Sequence, residues 1–398
     1  MANSKITQDI EMSKSFFQSL FEVSEGERIK NCIQCASCSG VCPFGHLMVF
    51  PPGNMIAHLR ADMFNKLLAT DTIWLCISCY ACTQICPQKI PITAGLMTRT
   101  KEELVLAGNV PSELQQAFEN SQRYGNVMGQ SPRKRGEWAE GIEPKIPLMI
   151  NKKSAEVLWF VGDYPSYHPR VASTSRSFAK LLSVLGIDYG ILGPEEVSDG
   201  DSQRLAGEKG LFEMLADKNG KAFAKYEFSK IITTDPHSYN ALKNVYPELG
   251  ISYPVQHYSQ FLSERIDQLK PLIKQELKAR ITYHDPCYLG RVNNVYEEPR
   301  NLLTLIPGVE LVEMVHNHGS SLCCGGGGGG MWLDGFQWEK AHARTSEWRI
   351  NEALQVEADV LAIACPYEAP RFEDAAKMNP KAAKLVVKDI LELLAEAL

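Results

Sequence analysis

Apolar residues in this chain gather in short runs that stop abruptly at polar turns. VLWFVGD (157–163), KIITTD (230–235), ITYHDPC (281–287) and VLAIAC (360–365) have the length of strands. RSFAKLLSVLG and AHARTSEWRINEAL lie between such runs and read as helices. Nearer the start, Ile56, Leu59, Met63 and Leu67 recur at helical spacing, so FPPGNMIAHLRADMFNKLLATDTIW reads as a helix after a Pro-Gly turn. SKSFFQSLF and VVKDILELLAEAL are amphipathic; each is expected to pack on its own domain, with partner docking as the alternative. Residues 121–152, rich in Gly, Pro and charge, read as a connector in which Arg133-Lys134-Arg135 forms a solvated face, with a docking patch as the alternative.

Beyond the connector the pattern repeats. Asp163, Ser198-Asp199-Gly200, Asp235 and Ser238 of one half stand where Cys287, Cys323-Cys324-Gly325, Cys365 and Glu368 stand in the other. Strands alternating with helices predict two pseudo-symmetric α/β units whose ligand positions sit at strand ends, where loops converge. The whole is expected to be an α+β multidomain chain: a helical domain over 1–120, the connector over 121–152, and α/β repeats over 153–276 and 277–398.

Composition narrows the class. The 398 residues are 44% hydrophobic and 22% charged, with a net charge of −6. Nothing there drives binding to nucleic acid or anionic membrane. No apolar window is long enough to cross a bilayer, and the first residues do not read as a signal peptide. A cytoplasmic location without membrane insertion is expected.

Cysteine spacing supplies the chemistry. Cys32, Cys35, Cys38 and Cys42-Pro43 form a C-x2-C-x2-C-x3-C-P run, and Cys76, Cys79, Cys82 and Cys86-Pro87 repeat it. This is bacterial-ferredoxin spacing for two [4Fe–4S] clusters, in which each run's last cysteine serves the other cluster. Cys32, Cys35, Cys38 and Cys86 are therefore expected on one cluster, and Cys76, Cys79, Cys82 and Cys42 on the second. Structural zinc is the alternative. All twelve cysteines fall in ligand-like patterns, so none is left for a disulfide framework.

IKNCIQCASCSGVCP, IWLCISCYACTQICP, YHDPCYLGR, SSLCCGGGGGG and ACPY together resemble a fused heterodisulfide reductase of the B and C subunits, HdrD-like, with a pair of CCG (cysteine-rich) domains. The resemblance implies a helical ferredoxin domain followed by two CCG repeats. The first repeat departs from the family pattern, because carboxylates and hydroxyls replace every cysteine. It is read as a cluster-less scaffold, with a metal site on Asp163, Asp199 and Asp235 as the sharper alternative. The second keeps Cys287, Cys323, Cys324 and Cys365 but has Glu368 in place of the last cysteine. It is expected to hold one further [4Fe–4S] cluster, cubane or noncubane. Glu368 as an oxygen ligand, an iron with an open position, and four buried cysteines without metal stay open.

Gly325, Gly326, Gly327 and Gly328 open a run of six glycines, where bare backbone can approach a cofactor; no P-loop Lys-Ser/Thr follows. His284 and Arg291 are candidates for proton delivery and charge pairing at this cluster, and His316 and His318 flank it in sequence. His237, Tyr239 and His257 in the other half have no stronger claim. No dinucleotide fingerprint, H-E-x-x-H, G-x-S-x-G or Walker A motif is present.

The expected function is an electron-transfer subunit of a multisubunit anaerobic oxidoreductase, relaying electrons between the ferredoxin clusters and the CCG cluster. Its partners would be other oxidoreductase subunits, one of them carrying flavin. The alternatives are a catalytic subunit that reduces a disulfide, quinone or other small acceptor with help from Glu368 or His284, and a structural metal-binding interaction module.

Overall fold

The computed structural model describes residues 2–143 and 145–398, so Pro144 of the connector and Met1 lie outside the described residues. The chain forms two compact units. Unit 1 comprises Met1–Gln115, Ser202–Lys209 and Gly325–Arg344; unit 2 comprises Gln116–Asp201, Gly210–Cys324 and Thr345–Leu398. Each half of the α/β region thus gives unit 1 the segment that follows its Ser198-Asp199 or Cys323-Cys324 position.

Unit 1 is helical, with no strand among its described residues. The helix Ala2–Ser19 closes over the segment between the cysteine runs: Phe16 stacks on Phe64 with centroids 3.8 Å apart, and Ser13 Oγ accepts from the Phe64 amide. That segment is not one helix. It breaks into Pro52–Arg60, Phe64–Leu68 and a 3-10 turn at Thr72–Leu75, with Asp62 in the left-handed region at φ 54°. Ile56, Leu59 and Leu67 are buried as the spacing predicts, but the break turns Met63 outward to 38% exposure.

Unit 2 holds two four-stranded parallel sheets. β1 (Val157–Phe160), β2 (Tyr189–Ile191), β3 (Lys230–Thr233) and β4 (Val255–His257) lie in the order β2-β1-β3-β4. β5 (Ala279–Tyr283), β6 (Val309–Leu311), β7 (Val360–Ile363) and β8 (Val386–Asp389) lie in the order β6-β5-β7-β8. The predicted strand runs become β1, β3, β5 and β7, the central pair of each sheet. The amphipathic C-terminal segment divides: VVKD forms β8 and Ile390–Ala397 is helix. Val-Val beside a capping Asp explains this, since β-branched residues favour strand and Asp389 accepts from the Leu391 amide to start the helix.

The two sheets share one core. Trp159, Phe178 and Tyr258 of the first repeat join Tyr283, Leu303 and Leu391 of the second. The helix after β1 (Pro169–Val184) packs on the helix after β8, and the helix after β4 (Tyr258–Ser263) packs on the helix after β5 (Glu297–Thr304), so the pairing is pseudo-twofold. Arg170 ties the first pair by bonding Glu392 at 2.7 Å and also Glu373. No described helix is long and apolar enough to cross a membrane.

Candidate metal centres

Both cysteine runs fold as the same loop. Gln34 and Ala36 take left-handed backbone (φ 56° and 61°), as do Ser78 and Tyr80 in the second run (φ 50° and 63°). None is glycine, so each position costs on the order of 1–2 kcal/mol. The strain recurs at equivalent places because a C-x2-C-x2-C loop must turn back twice to aim three sulfurs at one centre. Such turns of alternating hand also point successive N–H groups inward, a concavity suited to an anionic group. Each third cysteine then enters a short helix, Ser37–Gly40 or Ala81–Ile85.

Cys32, Cys35, Cys38 and Cys86 line one hollow; Cys42, Cys76, Cys79 and Cys82 line another. At Gly53 a Cβ would lie 3.0 Å from Ser39 Oγ and 3.6 Å from Cys38 Sγ, so the glycine lets backbone close over the first hollow. Burial pushes the Cys38, Cys42 and Cys82 thiols up, and neighbouring sulfurs add to the push. Four thiolates facing one another are tolerable only around cationic metal, so the donor sets fit iron–sulfur clusters. The two differ in exposure: Cys35 is exposed and its thiol is lowered by bonding with Ser37, whereas Cys79 and Cys82 are buried.

In the second repeat Cys287, Cys323, Cys324 and Cys365 are all buried, with Cys287 beyond β5 and Cys365 beyond β7. Glu368 opens the helix Glu368–Met378 and is 1% exposed. Arg349 Nε donates to His284 Nδ1 at 3.0 Å. A guanidinium can only donate, so the His284 proton sits on Nε2, facing Glu368 Oε1 at 3.2 Å. Burial, with Arg349 adding to it, holds His284 neutral; burial and the nearby Cys324 hold the Glu368 carboxyl well above its usual range. A ring nitrogen of His284, Cys324 Sγ and a Glu368 oxygen lie within 4.8 Å of one another.

Other flanking residues bond to protein groups. His316 bonds Glu352, and His318 bonds Asn317 and Glu297. Arg291 donates to the Ser321 and Gly319 carbonyls, bracing the loop before Cys323. His257 caps the helix after β4 by accepting from Ser259 N, and burial lowers it to about 3. Sequence reasoning missed Arg371, whose Nε donates to the Cys324 carbonyl at 2.9 Å. The available signal was its position one helical turn beyond Glu368.

The first repeat fills the corresponding place with ions. Arg135 Nη2 lies 2.5 Å from Asp163 Oδ1 and Nη1 lies 2.7 Å from Glu196 Oε1. Arg133 and Lys134 are exposed as expected, but Arg135 is 2% exposed, which corrects the expectation of a solvated face at that position: two buried carboxylates draw its guanidinium inward. Val161 and Gly162 amides complete Glu196, and the Val127 amide bonds Asp163. Ser238 Oγ donates to Asp199 at 2.6 Å, the His237 amide caps Asp235, and the His237 ring meets Asp201 at 2.9 Å. Asp163, Asp199 and Asp235 therefore do not converge on a shared ion; among the described residues they join no group close enough to hold one.

The two places adjoin within unit 2. The His237 ring lies 4.1 Å from Tyr288, next to Cys287, and Tyr164 lies 4.7 Å from Tyr367, two residues beyond Cys365. The glycine run, in contrast, packs in unit 1. At Gly328 (φ +60°) a Cβ would meet Ser78 Oγ at 2.5 Å and the Cys76 carbonyl at 2.9 Å.

Comparison with known proteins agrees with this architecture. The cysteine-rich domain model, CCG, matches residues 157–243 and 281–367, and the 4Fe-4S dicluster domain model matches residues 28–90. The chain is 35% identical over 341 residues to a probable iron-sulfur-binding oxidoreductase of Bacillus subtilis, FadF (84% of this chain, 48% of that one). It is 32% identical over 350 residues to an EtfAB:quinone oxidoreductase of Syntrophomonas wolfei (85% and 48%). It is 28% identical over 396 residues to a component of the dihydromethanophenazine:CoB--CoM heterodisulfide reductase of Methanosarcina barkeri, its HdrD chain (92% and 93%). The chain spans about half the length of the first two relatives. It belongs among the CCG-domain iron–sulfur proteins, with one 4Fe-4S dicluster domain ahead of two cysteine-rich domains, the first of which contains no cysteine and holds buried ion pairs.

Proposed function

We propose that the chain is the electron-carrying part of a larger oxidoreductase. Two ferredoxin-type clusters, on Cys32/Cys35/Cys38/Cys86 and on Cys76/Cys79/Cys82/Cys42, exchange electrons with one CCG cluster on Cys287, Cys323, Cys324 and Cys365. Such clusters supply one-electron transfer. What the protein contributes is burial, fixed charge and hydrogen bonding around them. One observation carries the reading: the first repeat's ligand positions are consumed by Arg135, Ser238 and backbone amides, while the second keeps four buried thiols. Partners are then other oxidoreductase subunits, in line with the relative named for EtfAB and quinone, and one of them carries flavin. Exposed Cys35 marks the first cluster as the side where a partner's electron enters or leaves.

The test is iron and acid-labile sulfide per chain after anaerobic purification. About twelve irons correspond to three cubes. About eight would mean that the CCG cysteines hold no cluster, and the relay would lose its terminus.

The buried His284–Glu368 pair beside Cys324 favours a second reading, in which the CCG site itself acts on a small acceptor such as a disulfide or quinone. A Glu368→Ala variant that keeps its iron should then lose most of its turnover in the assembled complex. Unchanged turnover would leave the relay alone standing.

A further inference from the structure

Lys101, on the helix Thr98–Leu106, is completely buried. Its ammonium donates to the Cys76 carbonyl at 2.7 Å and to the Gly328 carbonyl at 2.9 Å, and lies 5.7 Å from the Trp74 ring centroid. Among the described residues no carboxylate lies within ion-pair distance of it, so two neutral carbonyls and a ring face are its partners. Glycines from both α/β segments of unit 1 permit this packing. At Gly207 (φ +92°) a Cβ would lie 2.6 Å from the Lys101 carbonyl carbon, and at Gly328 it would lie 3.1 Å from Nζ.

A buried cation needs a counter-charge, because carbonyl dipoles replace only part of the lost hydration. A [4Fe–4S] cluster on four thiolates has net negative charge, and one-electron reduction adds one more. We propose that Lys101 is the counter-ion of the cluster on Cys42, Cys76, Cys79 and Cys82, and that it makes that cluster the easier of the two to reduce. The inference rests on the cluster reading above. Its consequence is a direction of transfer. One electron passes from the exposed cluster to the buried one, the first is oxidised and the second reduced, and no bond or proton changes. Without Lys101, burial of Cys79 and Cys82 would oppose that transfer, since low dielectric disfavours the extra charge.

The experiment is redox potentiometry followed by EPR on anaerobically purified full chain, with Cys35→Ser marking the signal of the exposed cluster. In the wild type, the cluster on Cys42, Cys76, Cys79 and Cys82 should have the higher midpoint. Lys101→Met and Lys101→Gln, the second keeping an N–H donor, should lower that midpoint by at least about 59 mV, a tenfold change for one electron. The exposed cluster's midpoint should stay put, and Lys101→Arg should hold both. A wild type with the reverse order, or a loaded neutral variant with unmoved midpoints, overturns the inference. The wild-type order decides the matter even if both neutral variants fail to load. No cluster signal in the wild type would overturn the underlying cluster reading instead.

Discussion

The two α/β repeats have the same strand order and the same paired helices, yet one keeps four buried thiols where the other has a buried salt bridge and an acid–histidine network. The comparison separates what the fold needs from what the chemistry needs. The sheet requires only that the loops beyond its central strands be held together and have their polar groups satisfied. Metal–thiolate bonds can do that, and so can Arg135 between Asp163 and Glu196. The charge-based solution brings its own liabilities, which the following experiments expose.

The largest effect should come from Arg135→Ala. It leaves Asp163 and Glu196 buried without a cation, and removing one partner of such a pair costs about 3–5 kcal/mol. Denaturant midpoints of the variant and the wild type would show it. A cost under about 1 kcal/mol would mean that the first repeat does not depend on the ion pair. Cys365→Ser is the contrasting change in the second repeat: about four irons should be lost per chain, with the far-UV spectrum of the parallel sheets retained.

Next in size is a pH dependence. Burial, then the neighbouring carboxylates Asp235 and Asp201, raise Asp199 to about 7, and burial also raises Asp235; bonding to Asp201 raises His237 against the effect of burial. A folded pKa above the unfolded one means that the native state binds the extra proton. The stability contributed by Asp199 is then fully present below its ordinary carboxylate range and is lost as pH rises through about 7. Asp199→Asn should flatten the decline in stability between about pH 4 and 7 and narrow the gap to the wild type at the acid end. Identical slopes for variant and wild type would remove the carboxylate network from the account.

Much of this was readable in the chain. The cysteine runs and the four strand runs were legible because spacing and short apolar bursts are local signals. The split of the amphipathic C-terminal segment into strand VVKD and a following helix was not legible, because so few residues show no clear period. Arg135, Lys101, Arg349 and Arg371 were invisible as site residues for a different reason. A cation's burial depends on which carboxylates, carbonyls or sulfurs the fold brings to it, from as far as 227 positions away in the chain, and nothing in its neighbours records that. Gly328 illustrates the same limit. Its position after Cys323-Cys324 suggested service to that cysteine pair, whereas Gly328 packs on the second ferredoxin loop.

The smallest effect tests how far the pseudo-symmetry extends. Each sheet ends in a capping box: His257 with Gln260 after β4, and Asp389 with Glu392 after β8. The first cap is an imidazole that burial keeps neutral, while the second is a carboxyl that burial raises to about 8. Both therefore act without charge at neutral pH, and the helix dipole contributes little to either. Asp389→Ala should cost about 1 kcal/mol, the ordinary price of an N-cap, and Asp389→Asn should recover most of it, because the capping contact is a neutral hydrogen bond to the Leu391 amide. If Asn fails to rescue while Ala costs several times more, the carboxyl is working as a charge, and the last turn of the second repeat is held by electrostatics that the first repeat does not share.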